Sequence, residues 1–238
     1  ASGLGRAQAI QYAKEGAKVI INDINEKELS ETEQLIKENN GTVLSVVADV
    51  SKKDDVQDLV QKSLQEFGAV DICVNNAAIL ADFKPTLEIT EEEWDRIMAV
   101  NVKGVYLVTN ALLPHMLEKG KGTFINVASI GGTIAGVGDA AYITSKHAVI
   151  GYTKQLAFDY AKSGIRAVAL CPGLTDTPMV RYAIDEDHPN VVRQISSIPS
   201  GRVGRPEDVA YFSAYLASDK AEHINGVEMK IDGGQSIA

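Results

Sequence analysis

The chain has 238 residues, 45% of them hydrophobic, a length and composition that suit one large α/β domain. Its formal net charge of −9 excludes the basic stripe expected of a nucleic-acid surface, and no apolar run reaches the roughly eighteen residues of a membrane span. Cys73 and Cys171 sit in apolar runs and read as free buried thiols, the four histidines show no metal-ligand spacing, and the start is not leader-like, so a cytoplasmic, metal-free globular protein is expected.

Residues 1–6, ASGLGR, run straight into a helical pattern carrying Ala9, Ile10, Tyr12 and Ala13. A glycine-rich turn before a helix lets backbone N–H groups approach a pyrophosphate at the positive helix end. Ser2, Gly3, Leu4 and Gly5 are therefore the first candidate cofactor contacts. Such a turn wants a strand before it. None precedes Ala1, so the expectation is a longer chain whose first, central strand is missing from the start, together with its turn about ten residues. Residues 18–23, KVIIND, read as a strand closed by an acid. Asp23, followed by Ile24, can accept both ribose hydroxyls of an adenosine and would repel a 2′-phosphate, which points to NAD. The same carboxylate would equally serve as a helix cap. A polar helix (26–39), a strand (43–50) ending in Asp49 and Val50, and a helix (52–67) follow. The run VDICVNNAA (70–78) then gives a strand that places Asn75 and Ala77 at a polar turn.

Residues 90–117 form one long helical pattern opened by TEEE, a capping box with negative charge at the positive helix end. Asn101 lies inside it, where an asparagine side chain competes with the backbone. A local rule broken inside a good helix marks a functional position. The apolar run GTFINVAS reads as a buried strand ending at Ser129, and a glycine-rich loop then leads into a helix of small residues. Tyr142 and Lys146, four apart, share one face of that helix. A free tyrosine has a pKa near ~10, and a neighbouring cation is expected to lower it towards the working range. Ser129 could hold a substrate oxygen beside the phenol. The helix, 141–162, is apolar on several faces (Ala141, Ala148, Val149, Leu156, Ala157) and needs cover on both sides: the sheet on one, a second subunit on the other.

Residues 165–170 read as a strand, followed by CPGLTDTPM. Pro172 and Gly173 turn the chain, and Thr175 and Thr177 supply hydroxyls and backbone donors. Residues 178–199 show no strong periodicity and read as a long covering loop whose acidic cluster, Asp185, Glu186 and Asp187, is a solvated tip. RPEDVA starts another helix with a proline in its first turn, and 227–231 is the last strand. Alternation of strand and helix throughout predicts a doubly wound parallel sheet, with ligands beyond the carboxyl ends of the strands.

From Ala1 to the terminal IDGG segment the chain resembles the classical short-chain dehydrogenases/reductases. The resemblance is carried by Gly3 and Gly5 (the last two glycines of TGxxxGxG), by Asn101, Ser129, Tyr142 and Lys146, and by Pro172, Gly173 and Thr177 of PGxxxT. The family's NNAG stands here as NNAA, a mild departure at Ala78. The resemblance implies a single Rossmann-like domain over 1–238, with a substrate-covering loop at about 178–199. It implies adenine contacts from Asp49 and Val50, a sheet-stabilising role for Asn75, and a 172–177 loop against the nicotinamide carboxamide and pyrophosphate. Long helices paired across a two-fold axis would give a homotetramer or homodimer.

The reaction implied is reversible oxidation of a small-molecule secondary alcohol to a ketone with NAD. Tyr142 is the general acid/base, Lys146 lowers its pKa and binds the nicotinamide ribose, Ser129 holds the substrate oxygen, and Asn101 positions a water that completes a proton relay. The nearest rival is a 3-oxoacyl-thioester (acyl carrier protein) reductase of the same fold. That activity usually goes with NADP and basic residues near the mouth, against which Asp23 and the acidic loop speak. A non-catalytic NAD-binding regulator is the rival of another class, and it would have no reason to keep Asn101, Ser129, Tyr142 and Lys146 together. No side chain in the expected pocket (78–84, 130–137, 178–199) names the substrate.

Overall fold

The computed structural model describes residues 1–238. In chain order the chain runs α1 (Gly3–Lys14), β1 (Val19–Asp23), α2 (Glu26–Glu38), β2 (Val43–Val47), α3 (Lys53–Phe67), β3 (Ile72–Asn75) and α4 (Glu91–Met98). It continues α5 (Gly104–Lys119), β4 (Gly122–Val127), α6 (Ala140–Tyr160), β5 (Ile165–Pro172), α7 (Pro178–Asp185), α8 (Pro189–Ser197), α9 (Pro206–Ala217) and β6 (Glu228–Ile231). Every strand pair is parallel. β1 pairs with β2, and β3, β4, β5 and β6 pair in sequence order. Parallel neighbours need crossovers, and helices supply them.

The alternating pleat explains why helices cover both faces. All six residues of β4 are buried, as a strand sandwiched between two layers must be. Phe124 faces α3, α5 and α6 through Val56, Val108, Leu112 and Leu156. The next residue, Ile125, points the other way, to Val209 and Leu216 of α9 with Leu4 and Tyr12 of α1 packed alongside. The doubly wound α/β architecture expected from the sequence is therefore present. A cavity opens at the carboxyl ends of the strands, lined there by Asn75 of β3, Ser129 just after β4 and Pro172 of β5.

Cys73 and Cys171 are free and buried. Burial pushes their thiols up to about 12 and about 11, which makes them inert packing groups.

Two segments differ from the sequence reading. The 90–117 pattern is not one regular helix. It opens with the expected Thr90–Glu93 capping box, but a π turn, Ala99–Lys103, interrupts it around Asn101. This helical run, Glu91–Lys119, has an 18-residue window of mean hydropathy 1.3. Those apolar residues are core contacts: Val105, Val108, Leu112, Leu113 and Met116 all turn inward.

The expected loop at 178–199 is instead helical, as α7 and α8. Each opens with a proline in its first turn, where the missing N–H costs nothing. With Ile198, which follows α8, they bury Ala183 and Val191 against Phe83 and Leu174 in a small core of their own. At 8 and 9 residues they are shorter than the window in which a helical period becomes legible.

Candidate active site

The carboxyl ends of the strands converge on the mouth of the cavity. Ser2, Gly3, Leu4, Gly5, Asp23, Ile24, Asp49, Val50, Asn75, Ala77, Ser129, Tyr142, Lys146, Pro172, Gly173, Thr175 and Thr177 all line it. Of the catalytic and cofactor-binding residues expected from the sequence, Asn101 alone does not.

Ser129 follows β4 directly. Its Oγ accepts the N–H of Gly131 at 3.0 Å, so the hydroxyl hydrogen is free to be given to another oxygen. Tyr142 and Lys146 stand one turn apart on α6, as their spacing requires. The Lys146 Nζ lies 5.5 Å from the Tyr142 ring centroid. It donates to the carbonyl oxygen of Val127 at 2.8 Å, which fixes the ammonium between strand and helix.

Burial raises the Tyr142 pKa and outweighs the opposite pull of the neighbouring Ser129 hydroxyl. Lys146 is buried as well, and burial pushes its ammonium down to about 8. The Tyr142 phenol is therefore protonated at neutral pH, and Lys146 sits close to its own titration point.

The Asn101 side chain is held by the segment after β3 and by α6. Its Nδ2 donates to the carbonyl of Ile79 at 2.9 Å and to Ser145 Oγ at 3.0 Å, while its Oδ1 accepts the N–H of Ile79 at 2.8 Å. Both amide hydrogens are committed, and the residue is 1% exposed. The side chain is a strut that ties the π turn to the segment after β3 and to α6. The π turn turns it inward, which accounts for an asparagine inside a helix.

Two further residues of this framework were not singled out from the sequence. Asp139 caps α6, accepting from the N–H of Tyr142 at 2.8 Å, and its other oxygen takes the N–H of Ala81 at 2.9 Å. It thereby sets the start of the tyrosine helix against the segment after β3. An aspartate placed three residues before Tyr142, just ahead of a helical pattern, was a legible cap signal. Asn126, opposite Asn75 in register, accepts from Asn75 at 2.8 Å and donates to Thr153 of α6 at 2.9 Å. This buried chain of amides fixes β3, β4 and α6 to one another.

The cavity's other end suits a dinucleotide. α1 begins at Gly3 with no acid in its first turn and no side-chain cap from Ser2, so its N-terminal N–H groups are open to an anion. Gly3 has φ +48, and a Cβ on Gly5 would lie 2.9 Å from Asn76 Nδ2. A side chain at either place would fill the cradle. Asp23 closes β1 and is not the helix cap: Asn25 caps α2, accepting from Lys27 and Glu28. The Asp23 carboxylate accepts the N–H of Asn25 at 3.0 Å and faces the cavity. Arg6, the nearest guanidinium in the turn, is engaged by Glu28 at 2.6 Å and Glu31 at 3.1 Å.

Comparison with known proteins agrees with this architecture. A family model described as enoyl-(acyl carrier protein) reductase matches residues 1–236. A 3-oxoacyl-[acyl-carrier-protein] reductase of Thermotoga maritima is 38% identical over 242 residues, spanning 100% of this chain and 95% of that protein. Among solved structures, a 3-ketoacyl-(acyl-carrier-protein) reductase of Brucella melitensis complexed with NADH superposes with a TM-score of 0.90 at 38% identity, over 99% of this chain and 94% of that one. A gluconate 5-dehydrogenase of Burkholderia cenocepacia, in complex with NADP and tartrate, superposes at 0.92 with 31% identity, over 99% and 92%.

Proposed function

This chain belongs to the classical short-chain dehydrogenase/reductase family, and from that premise we propose that it interconverts a secondary alcohol and a ketone with NAD as the preferred cofactor. The observation that supports this most is the convergence of Ser129, Tyr142 and Lys146 at one end of a cavity whose other end is the open N-terminus of α1. When bound, a nicotinamide dinucleotide supplies or accepts the hydride. The protein's own residues handle the oxygen and its proton. Ser129 gives its free hydroxyl hydrogen to the substrate oxygen. In reduction the Tyr142 hydroxyl donates its proton to that oxygen, and in oxidation the phenolate takes it back. Lys146 keeps further N–H donors beyond the one on Val127 and offers them to the nicotinamide ribose. Asn101 and Asp139 are positioning residues that hold these groups in register.

The preference for NAD is supported by Asp23. An anion at the end of β1 suits two ribose hydroxyls and repels a 2′-phosphate, while Arg6 is already engaged by two carboxylates. Self-association is supported by Tyr106 on α5 and Phe158 on α6, which are 52% and 84% exposed. We read these helices as the interface of a homodimer or homotetramer. Free buried thiols fit a reducing, cytoplasmic setting.

A second reading, reduction of a 3-oxoacyl thioester, is favoured by the names of the Thermotoga and Brucella proteins, each 38% identical to this chain. One experiment separates the two. Secondary alcohols (linear, cyclic, polyol and hydroxy-acid) are offered with NAD and with NADP, beside acetoacetyl thioester with NADH and with NADPH. NADH formation from an alcohol, with NADP poorer, is the expected result. Turnover confined to the thioester would replace the first reading with the second.

A further inference from the structure

The lid helices α7 and α8 line the cavity with Pro178, Met179 and Val180, all apolar, and with one polar side chain, Gln194. Gln194 is 5% exposed, and its Nε2 has no hydrogen-bond partner. Its orientation is set by a chain of obligatory donors. The backbone N–H of Leu174 can only donate, and it does so to Gln235 Oε1 at 2.8 Å. Gln235 must then turn its Nε2 towards Gln194, whose Oε1 accepts it at 3.3 Å. A flipped Gln194 would set two amide nitrogens against each other. The amide of Gln194 is thus locked with its donor end unpaired, in a wall that is otherwise apolar.

We propose that Gln194 is a specificity-determining donor for a second oxygen of the substrate, a neutral carbonyl or hydroxyl separated from the reacting oxygen by an apolar spacer. This assignment rests on the alcohol/ketone reading of the site and narrows it. A neutral acceptor fits better than a carboxylate because neither cation of the two lid helices lines the cavity: Arg181 pairs with Asp176, and Arg193 donates to the carbonyl of Gly136 at 2.9 Å. An unpaired amide donor beside an apolar wall rejects a substrate that lacks the matching acceptor and favours one that brings it.

The test is reduction by NADH of matched pairs that differ by one carbonyl: hexanone against acetonylacetone, and cyclohexanone against its para-dione. Each is run with the wild type and with Gln194→Met, and the readout is the diketone-to-monoketone ratio of kcat/KM. At the spacing that fits, the ratio falls about tenfold in the variant, chiefly through KM, while monoketone turnover is retained. Gln194→Glu keeps the acceptor for Gln235 and, ionised at alkaline pH, carries no donor. Monoketone kcat/KM retained beside the fallen ratio rules out a folding defect, which would lower both substrates alike. A ratio unchanged in both variants at every spacing would overturn the assignment and leave the reductase reading standing. Wild-type silence on every ketone, with NADH binding intact, would overturn both.

Discussion

Replacing Lys146 by methionine tests the electrostatic account of the site through stability rather than turnover. The lysine is 3% exposed, and burial brings its pKa from 10.5 down to about 8. That difference corresponds to roughly 3 kcal/mol of destabilisation at neutral pH, where the folded protein must carry the charge in its interior. Methionine removes the charge and also its charge-assisted hydrogen bond to Val127, worth about 2 kcal/mol. The variant should therefore be more stable than the wild type by about 1 kcal/mol, or ~2–4 °C in Tm for a domain of this size. The sign follows from proton counting. Between about 8 and 10.5 the unfolded lysine holds a proton that the folded one has released, so this residue's contribution to stability rises with pH across that window. The advantage of Lys146→Met is thus largest below 8 and shrinks towards 10.5. Thermal melts of both proteins at a series of pH values measure it. A variant less stable than the wild type at neutral pH, or an advantage that does not shrink on the alkaline side, would refute the reasoning.

Three other expectations concern the same framework. Asp139→Ala leaves the N–H groups of Tyr142 and Ala81 without their acceptor. It should cost about 2 kcal/mol in thermal unfolding and lower kcat more than it raises KM, as steady-state kinetics would reveal. Because burial raises the Tyr142 pKa, the phenolate needed for oxidation gains population only as pH rises. The rate of alcohol oxidation should climb through the alkaline range while ketone reduction declines, and a pH–rate profile flat in both directions would contradict this. Phe158→Glu places a charge on an apolar side chain that is 84% exposed, and it should shift the elution volume of the protein towards the monomer.

The alternation of helices and strands was legible because a strand such as 122–127 is a largely apolar run, buried at every residue, that a two-layered parallel sheet covers on both faces. Tyr142 and Lys146 could be paired from sequence because a spacing of four fixes their face before any tertiary contact is made. What lay beyond the sequence depended on the assembled environment. The direction of the tyrosine's pKa is set by burial, which a local cation argument cannot weigh. Asn101 stood out as a misfit in a helix, but the π turn that turns it inward and its clamp on Ile79, 22 residues away in the chain, are tertiary facts. The lid helices were missed because eight or nine residues carry too little periodicity. The donor end of Gln194 is defined only by Gln235, 41 residues further on.

The central claim is that Tyr142 exchanges the proton with a substrate oxygen in a nicotinamide-dependent reaction. The most direct test is Tyr142→Phe, which removes one hydroxyl and keeps the ring that packs beside Lys146. NADH formation from the best secondary alcohol should fall by at least about a hundredfold, while NADH binding, followed by fluorescence titration, stays near that of the wild type. A variant that binds NADH and keeps most of its turnover would contradict the claim.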